Sequence, residues 1–127
     1  MRTLGITIQA LHPGEIELAM PHAAAYTQQH GFMHAGIMAT ALDSACGYAA
    51  FSLMPAEAAV LTVEFKINLL APARGERFVF RARAVKPGRT ITVCEAQALG
   101  VDQGGETLVA TMTGTLMALF DRSGISH

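Results

Sequence analysis

The chain has 127 residues, a length that suits one domain with a single core. Hydrophobic residues make up 51% of it and charged residues 15%, which excludes a disordered chain and predicts extensive burial. The net charge is −1 and no basic run interleaved with aromatic residues is present, so nucleic acid is not an expected partner.

Other features of the composition bear on location and assembly. No segment reaches the roughly 20 apolar residues of a membrane span, and the first residues lack the apolar core of a secretory signal, so we expect a cytoplasmic protein without membrane contact. Cys46 and Cys94 form no CxxC pair and are expected to be reduced core residues. Because so few residues are charged, we expect a partner subunit to cover part of the surface.

The first half of the chain predicts a hairpin followed by a helix. The apolar segments 4–11 and 15–20 flank the turn signal His12-Pro13-Gly14 and indicate the hairpin. A run rich in Ala, Met and Leu from Gly36 to Leu53 has the length of a helix, which Met54-Pro55 is expected to end.

The second half predicts four strands. In residues 61–69 the odd positions are apolar and the even positions are polar, a pattern typical of a half-buried strand. Residues 77–85, 90–99 and 107–119 follow after short turns, so an antiparallel meander is expected. A single helix that is apolar nearly all round has to be covered on most sides, and a curved sheet around it would do this.

The helix carries a narrow polar stripe. Thr40, Asp43, Ser44 and Gly47 are three or four residues apart and so share one face. Burial of an unpaired carboxylate costs several kcal/mol, so Asp43 is solvated, paired or functional. An exposed aspartate on the helix flank is one interpretation, but this helix has no other charged residue of the kind that a solvated face normally carries.

The start of the helix is a second candidate feature. His34-Ala35-Gly36 precedes the first turn, and its small residues would let a ligand approach bare backbone N–H groups at the positive end of the helix dipole. Such donors suit a developing oxyanion. A flexible helix start without function is the alternative interpretation.

Four segments together resemble the hotdog-fold thioesterases of the phenylacetate-pathway, or PaaI-like, group. They are residues 31–50, residues 63–73, Gly88-Arg89 and residues 105–115, and the resemblance extends from about Gln28 to Met117. The group's His-Gly-Gly turn corresponds here to His34-Ala35-Gly36. Its Leu-Ala-Asp-Ser/Thr-Ala context corresponds to residues 41–45. The resemblance implies a single α+β hotdog domain over residues 1–127, with an antiparallel sheet wrapped around one long central helix.

The resemblance also implies roles for individual residues. Asp43 would be the nucleophile or general base, and the N–H of Ala35 would polarise the thioester carbonyl. Gln28 would orient the carbonyl or the water, and Thr62 would help to hold the water from across a dimer. Active sites would lie between two subunits, dimers would pair into a homotetramer, and neither cofactor nor metal would be needed. The implied contacts with the acyl-CoA substrate are His34, Gly36, Asn68, Lys86 and Arg89.

Two residues depart from the pattern of the group. Ala35 replaces the central glycine of the turn and disfavours a positive φ. Gly47 stands one turn after Asp43, where some subfamilies have a hydroxyl, which makes Thr62 the better candidate for holding water.

Other constellations lead to different chemistry. His30, His34 and Asp43 could form a metal site, although the neighbouring glycines favour a loop there, and Cys46 with a histidine could form a nucleophilic pair. We expect instead an acyl-CoA thioesterase for small to medium or aromatic acyl groups, since a thiolate of pKa about 8.5 leaves without a strong general acid. A non-catalytic acyl-CoA-binding module is the chief alternative. A hydratase is a third, but the Asp-x-Asn-x-x-His motif of hydratases is missing.

Overall fold

The computed structural model describes residues 4–23, 27 and 32–120. These residues form a six-stranded antiparallel sheet and one long helix, which packs against one face of the sheet. This is the expected hotdog architecture. The elements in chain order are β1 (Thr7–His12), β2 (Glu15–Pro21), α1 (Ala35–Phe51), β3 (Ala58–Leu69), β4 (Arg77–Lys86), β5 (Ile91–Asp102) and β6 (Gly105–Phe120).

The predicted opening hairpin is confirmed, and it holds the end of the helix. Gly14 has a φ of +78°, which favours glycine at this turn between β1 and β2. Its N–H donates to Ser52 Oγ at 2.8 Å, and Ser52 Oγ in turn donates to the carbonyl of Ala49 at 2.7 Å. The helix therefore ends at Phe51, three residues before the predicted stop at Met54.

The strands do not form the consecutive meander that the sequence predicts. The order across the sheet is β1-β2-β4-β5-β6-β3, so β3 pairs with β6 while β4 pairs with β2. The connection 70–76 carries the chain across the end of the sheet. The physical reason is burial, because Phe78 and Phe80 of β4 are fully buried against the helix and require a central strand.

The helix buries its small residues on the concave face of the sheet. Alanines at this contact allow the sheet to approach closely, and larger side chains of the strands fill the rest of the core. No helix in the described part of the chain is both long and apolar enough to cross a membrane. The buried helix residues are Met38, Ala41, Leu42, Ala45, Cys46, Ala49 and Ala50.

Strand β3 is an edge strand with one irregularity. The pairing of β3 with β6 shifts register between Thr62 and Glu64, so a β-bulge at Val63 changes which side chains face the helix. Before the bulge Thr62 faces inward, opposite buried Leu116, and after it Phe65 faces inward, opposite buried Gly114.

The predicted strand β3 is present, but the prediction that its apolar side chains share one buried face is wrong. The apolar side chains at positions 61, 63, 65 and 69 are 48%, 52%, 43% and 57% exposed. They belong to two faces of the sheet, and the outer edge of β3 has no neighbouring strand among the described residues. An apolar, unpaired edge of this kind is a place for another chain to pair.

Both cysteines are free and buried, as predicted. Cys94 Sγ donates to the carbonyl of Cys46 at 3.6 Å. Burial raises the pKa of the Cys46 thiol from 9.0 to about 12, and the nearby Cys94 and Asp43 add to this rise. Burial also raises the pKa of Cys94, to about 11.

We expect neither thiol to react with Ellman's reagent in the native protein at pH 8, and both to react after denaturation, because only the thiolate attacks. Each pKa is higher in the folded than in the unfolded chain, so the folded protein retains protons that the unfolded chain loses. The free energy of unfolding should therefore fall as the pH rises above about 9, which urea titrations would measure. Rapid labelling of one native thiol would contradict this burial.

Candidate active site

Asp43 and Thr62 form the centre of the candidate site. Asp43 lies on the third turn of α1 and is half-buried, and Thr62 lies on the inward face of β3. Thr62 Oγ1 donates to Asp43 Oδ1 at 2.8 Å. The hydroxyl fixes one carboxylate oxygen, and Oδ2 is left to accept a proton or to attack an electrophile.

The predicted stripe on the helix is the face that the sheet leaves uncovered. Its residues Thr40, Asp43, Ser44 and Gly47 are all unburied, and exposed Gly36 extends the stripe by one turn toward the helix start. Thr40 Oγ1 donates to the carbonyl of Gly36 at 2.8 Å, so this hydroxyl is used within the helix. A Cβ built on either glycine would meet no atom within 4 Å, so there is open space in front of the stripe.

The start of the helix presents two free donors. His34 is the N-cap residue, with extended backbone angles of φ −61° and ψ 141° and no capping hydrogen bond from its side chain. The amides of Ile37 and Met38 donate to its carbonyl at 3.0 and 3.2 Å. The amides of Ala35 and Gly36 have no acceptor among the described residues, and the first turn contains no acidic residue. Both donors can therefore bind an oxyanion.

Ala35 does not need the conformational freedom of glycine. It is the first residue of α1, and no non-glycine residue in the described part of the chain has a positive φ. The replacement of the usual glycine therefore costs no backbone strain and keeps the N–H.

Asp43 and Ala35 of one chain are too far apart to act on the same carbonyl. Eight residues of helix separate them, and a rise of 1.5 Å per residue places them about 12 Å apart. An oxyanion donor and a base must both lie about 3 Å from the reacting group. The carboxylate of one protomer and the helix start of another would have to combine into one site.

Thr62 is paired with Asp43 of its own chain, because their hydrogen bond lies within one chain. Its expected part in holding water across a dimer stays a prediction. The helix and β3 run in opposite directions, since Met33 N–H donates to the carbonyl of Ala73, beyond the end of β3, at 3.0 Å. Thr62 therefore lies beside Asp43, and the helix start lies beside the later half of β3.

The other implied substrate contacts are dispersed. Gln28 lies outside the described residues. Asn68 is on the outer face of β3, where its Nδ2 donates to Thr111 Oγ1 at 3.3 Å, and so it lies across the sheet from Asp43. Lys86 ends β4 and Arg89 lies in the following turn, both exposed and at the other end of the sheet from the helix start.

One cation near the helix start escaped the sequence analysis. The guanidinium carbon of Arg74 lies 5.0 Å from the centre of the Phe32 ring. Arg74 directly follows Ala73 in the chain, and the carbonyl of Ala73 accepts the hydrogen bond from Met33 N–H. Arg74 is exposed and has no carboxylate partner among the described residues. No sequence signal marks it, because only the connection 70–76 brings it to the helix.

The alternative chemistries find little support. The described residues contain no group of three or more His, Cys, Asp or Glu side chains that could hold a metal ion. His30 lies outside the described residues, and α1 begins only at Ala35, after both histidines of the suggested metal site. Cys46 is buried with its pKa raised to about 12, which opposes a role as nucleophile.

Comparisons with known proteins agree with this geometry. The model of the Thioesterase superfamily matches residues 30–106. An inferred esterase from Halobacterium salinarum is 34% identical over 97 residues, which are 72% of this chain and 64% of that protein. The chain thus matches just under two thirds of that relative's length.

Solved structures extend the comparison to the whole fold. A thioesterase family protein from Silicibacter pomeroyi is 65% identical, with a TM-score of 0.94 over 95% of this chain and 89% of that one. A conserved protein from Pseudomonas aeruginosa is 28% identical, with a TM-score of 0.82 over 93% and 91% of the two chains. The PaaI protein of the E. coli phenylacetic acid degradation operon is 23% identical, with a TM-score of 0.82 over 93% and 82%, and shows the fold alone.

The matched residues contain Asp43, Thr62 and the helix start, and the matched structures have the sheet and helix described above. The resemblance to hotdog thioesterases is therefore confirmed, and so is the expected enzyme class at the level of the family. The chain belongs to the thioesterase superfamily, a family of thioester hydrolases.

Proposed function

We propose that the protein hydrolyses acyl-CoA thioesters at a site shared by two protomers. Asp43 of one protomer activates water or attacks the carbonyl carbon, while Thr62 holds its other oxygen. The amides of Ala35 and Gly36 of the second protomer donate hydrogen bonds to the carbonyl oxygen and so stabilise its developing negative charge. The observation that carries the proposal is the Asp43–Thr62 pair, which lies beside a helix face and a strand edge that no other described element covers.

The β3 edge offers a way to assemble such a site. Its unpaired backbone groups and exposed apolar side chains fit antiparallel pairing with the same edge of a second copy. A strand residue rises about 3.3 Å, so the 12 Å between Asp43 and Ala35 corresponds to about four residues of β3. Ala35 is then level with Lys66, and a two-fold axis near residue 64 brings Thr62 of one protomer beside residue 66 of its partner.

The position of this axis can be tested by disulfide cross-linking. In Glu64→Cys the two introduced thiols would face each other directly across the axis, within reach of a disulfide. We expect rapid formation of a covalent dimer under mild oxidation, measured on non-reducing gels. The native cysteines are buried and should not interfere.

Two variants serve as controls for the cross-link. Gln9→Cys places a thiol on β1, the opposite edge of the sheet, and should remain monomeric on the gel. Asn68→Cys lies four residues further along β3, where the thiols would be too far apart to join. A faster cross-link at residue 68 or 9 than at residue 64 would rule out this arrangement.

Arg74 is a candidate contact for the phosphates of coenzyme A, because it lies next to the helix start with its charge unpaired among the described residues. The more distant Lys86, Arg89 and Asn68 remain contacts predicted from the sequence alone. Pairing of dimers into a tetramer and a cytoplasmic location also remain predictions.

A panel of substrates tests the proposed activity. Release of CoA thiol would be followed with acetyl-, butyryl-, phenylacetyl-, octanoyl- and palmitoyl-CoA, and binding of each would be measured by calorimetry. Turnover of at least one substrate supports the hydrolase. Binding without turnover would instead identify the acyl-CoA-binding module, and absence of both would overturn the proposal.

A further inference from the structure

Gly47 occupies a position where the described part of the chain does not require glycine. It lies in the interior of α1, where glycine destabilises a helix relative to alanine. It has no positive φ, and a Cβ built on it would meet no atom within 4 Å. Neither the backbone conformation nor packing against residues 4–23, 27 and 32–120 explains the missing side chain, so the space in front of Gly47 is what the position provides.

This space continues from the proposed site toward the end of the helix. Gly47 is one turn beyond Asp43, about 6 Å along the helix axis. Val60 is two residues before Thr62 on the same inward face of β3, about 7 Å along the strand. Because the helix and β3 run in opposite directions, Gly47 and Val60 stand at the same level and bound one slot.

Phe51 and the connection that follows it bound the far end of the slot. Phe51, the last residue of α1, lies on the same helix face one turn beyond Gly47, and residues 52–57 connect it directly to the start of β3 at Ala58. Phe51 is 41% exposed and Val60 36% exposed, so apolar surface is available on both walls. The slot therefore runs from the Asp43–Thr62 pair to the apolar side chain of Phe51, about two helical turns away.

The chemistry of the walls selects the group that would occupy the slot. Asp43 is the only charged residue of α1, and the inward residues of β3 beyond Thr62 are Val60 and Ala58. A second carboxylate on the acyl group would be desolvated there without a partner. The polar coenzyme has to remain at the open side, so the acyl group is what enters.

Resting on the proposed function, we infer that the slot between Gly47, Val60 and Phe51 holds a short, uncharged acyl group. Gly47 admits the group and Phe51 limits its length. Both are residues that determine specificity, and neither takes part in the chemical step.

The experiment measures the ratio of kcat/KM for acetyl-CoA to that for hexanoyl-CoA. Gly47→Leu fills the slot and should raise the ratio at least tenfold, and Phe51→Ala removes the end wall and should lower it by a similar factor. Tyr48→Leu, which places leucine at the next helix position, and Leu11→Ala, which removes an exposed apolar side chain from β1, should leave it unchanged.

The outcomes separate the inference from the proposed function. If the wild type turns over no acyl-CoA, the proposed function itself is contradicted. Turnover with an unchanged ratio in both Gly47→Leu and Phe51→Ala overturns the inference alone. An equal loss of kcat/KM for both substrates in Gly47→Leu, together with the mass of a monomer in light scattering, would assign the glycine to a close contact between protomers. This result would also overturn the inference. If Gly47→Leu does not fold, Gly47→Ala should still raise the ratio of kcat/KM and Phe51→Ala should still lower it.

Discussion

Replacement of Asp43 by asparagine is expected to lower kcat for acyl-CoA hydrolysis by about a hundredfold or more, the usual contribution of a general base or nucleophile. Asparagine has nearly the same size, and its side-chain oxygen can still accept the hydrogen bond from Thr62 Oγ1. It cannot take a proton from water or form an acyl intermediate. The structural role is thus preserved and the chemical role is removed.

Asp102→Asn provides the matched control. Asp102 lies at the end of β5, where its Oδ1 accepts a hydrogen bond from Gly104 N–H in the following turn. Both variants should show the circular dichroism spectrum of the wild type. Activity of Asp43→Asn within a factor of two of the wild type, with CoA release as the readout, would exclude a chemical role for Asp43.

Replacement of Ala35 by proline is expected to lower kcat by about a hundred- to a thousandfold, the usual effect of removing one oxyanion donor. Proline deletes the N–H but is well tolerated at the first position of a helix, where its fixed φ already suits the backbone. The preceding residue, His34, has the extended angles that proline requires of its neighbour. The substitution therefore removes a donor without disturbing the helix.

Ala35→Gly is the control for this position, because it keeps the N–H and restores the residue usual in the family. It should retain most of the activity, and its melting temperature should be close to that of Ala35→Pro. Full activity of Ala35→Pro would mean that the oxyanion is bound elsewhere.

The sequence predicted the elements well because their signals are local. Period-two alternation identified β3, and proline and glycine signals identified the hairpin turns at residues 12–14 and 86–89. The prediction that Asp43 lies on a polar stripe along one helix face is also confirmed, because spacing along a helix determines which side chains share a face.

What the sequence did not predict depends on contacts between distant segments. The pairing of β3 with β6 is set by which strand the core needs beneath the helix, and the bulge at Val63 breaks the alternation that local patterns assume. The Asp43–Thr62 hydrogen bond within one chain follows from that pairing. The separation of Asp43 from Ala35 could have been calculated from helix geometry alone.

The most direct test mixes two inactive protomers. Heterodimers of Asp43→Asn and Ala35→Pro, isolated by two different affinity tags, contain one site with both defects and one site with an intact Asp43 and an intact Ala35 amide. If protomers share their sites, the heterodimer should recover about half of the wild-type activity, since one of its two symmetry-related sites is whole. A heterodimer as inactive as its two parents would place each site within a single chain and contradict the shared site.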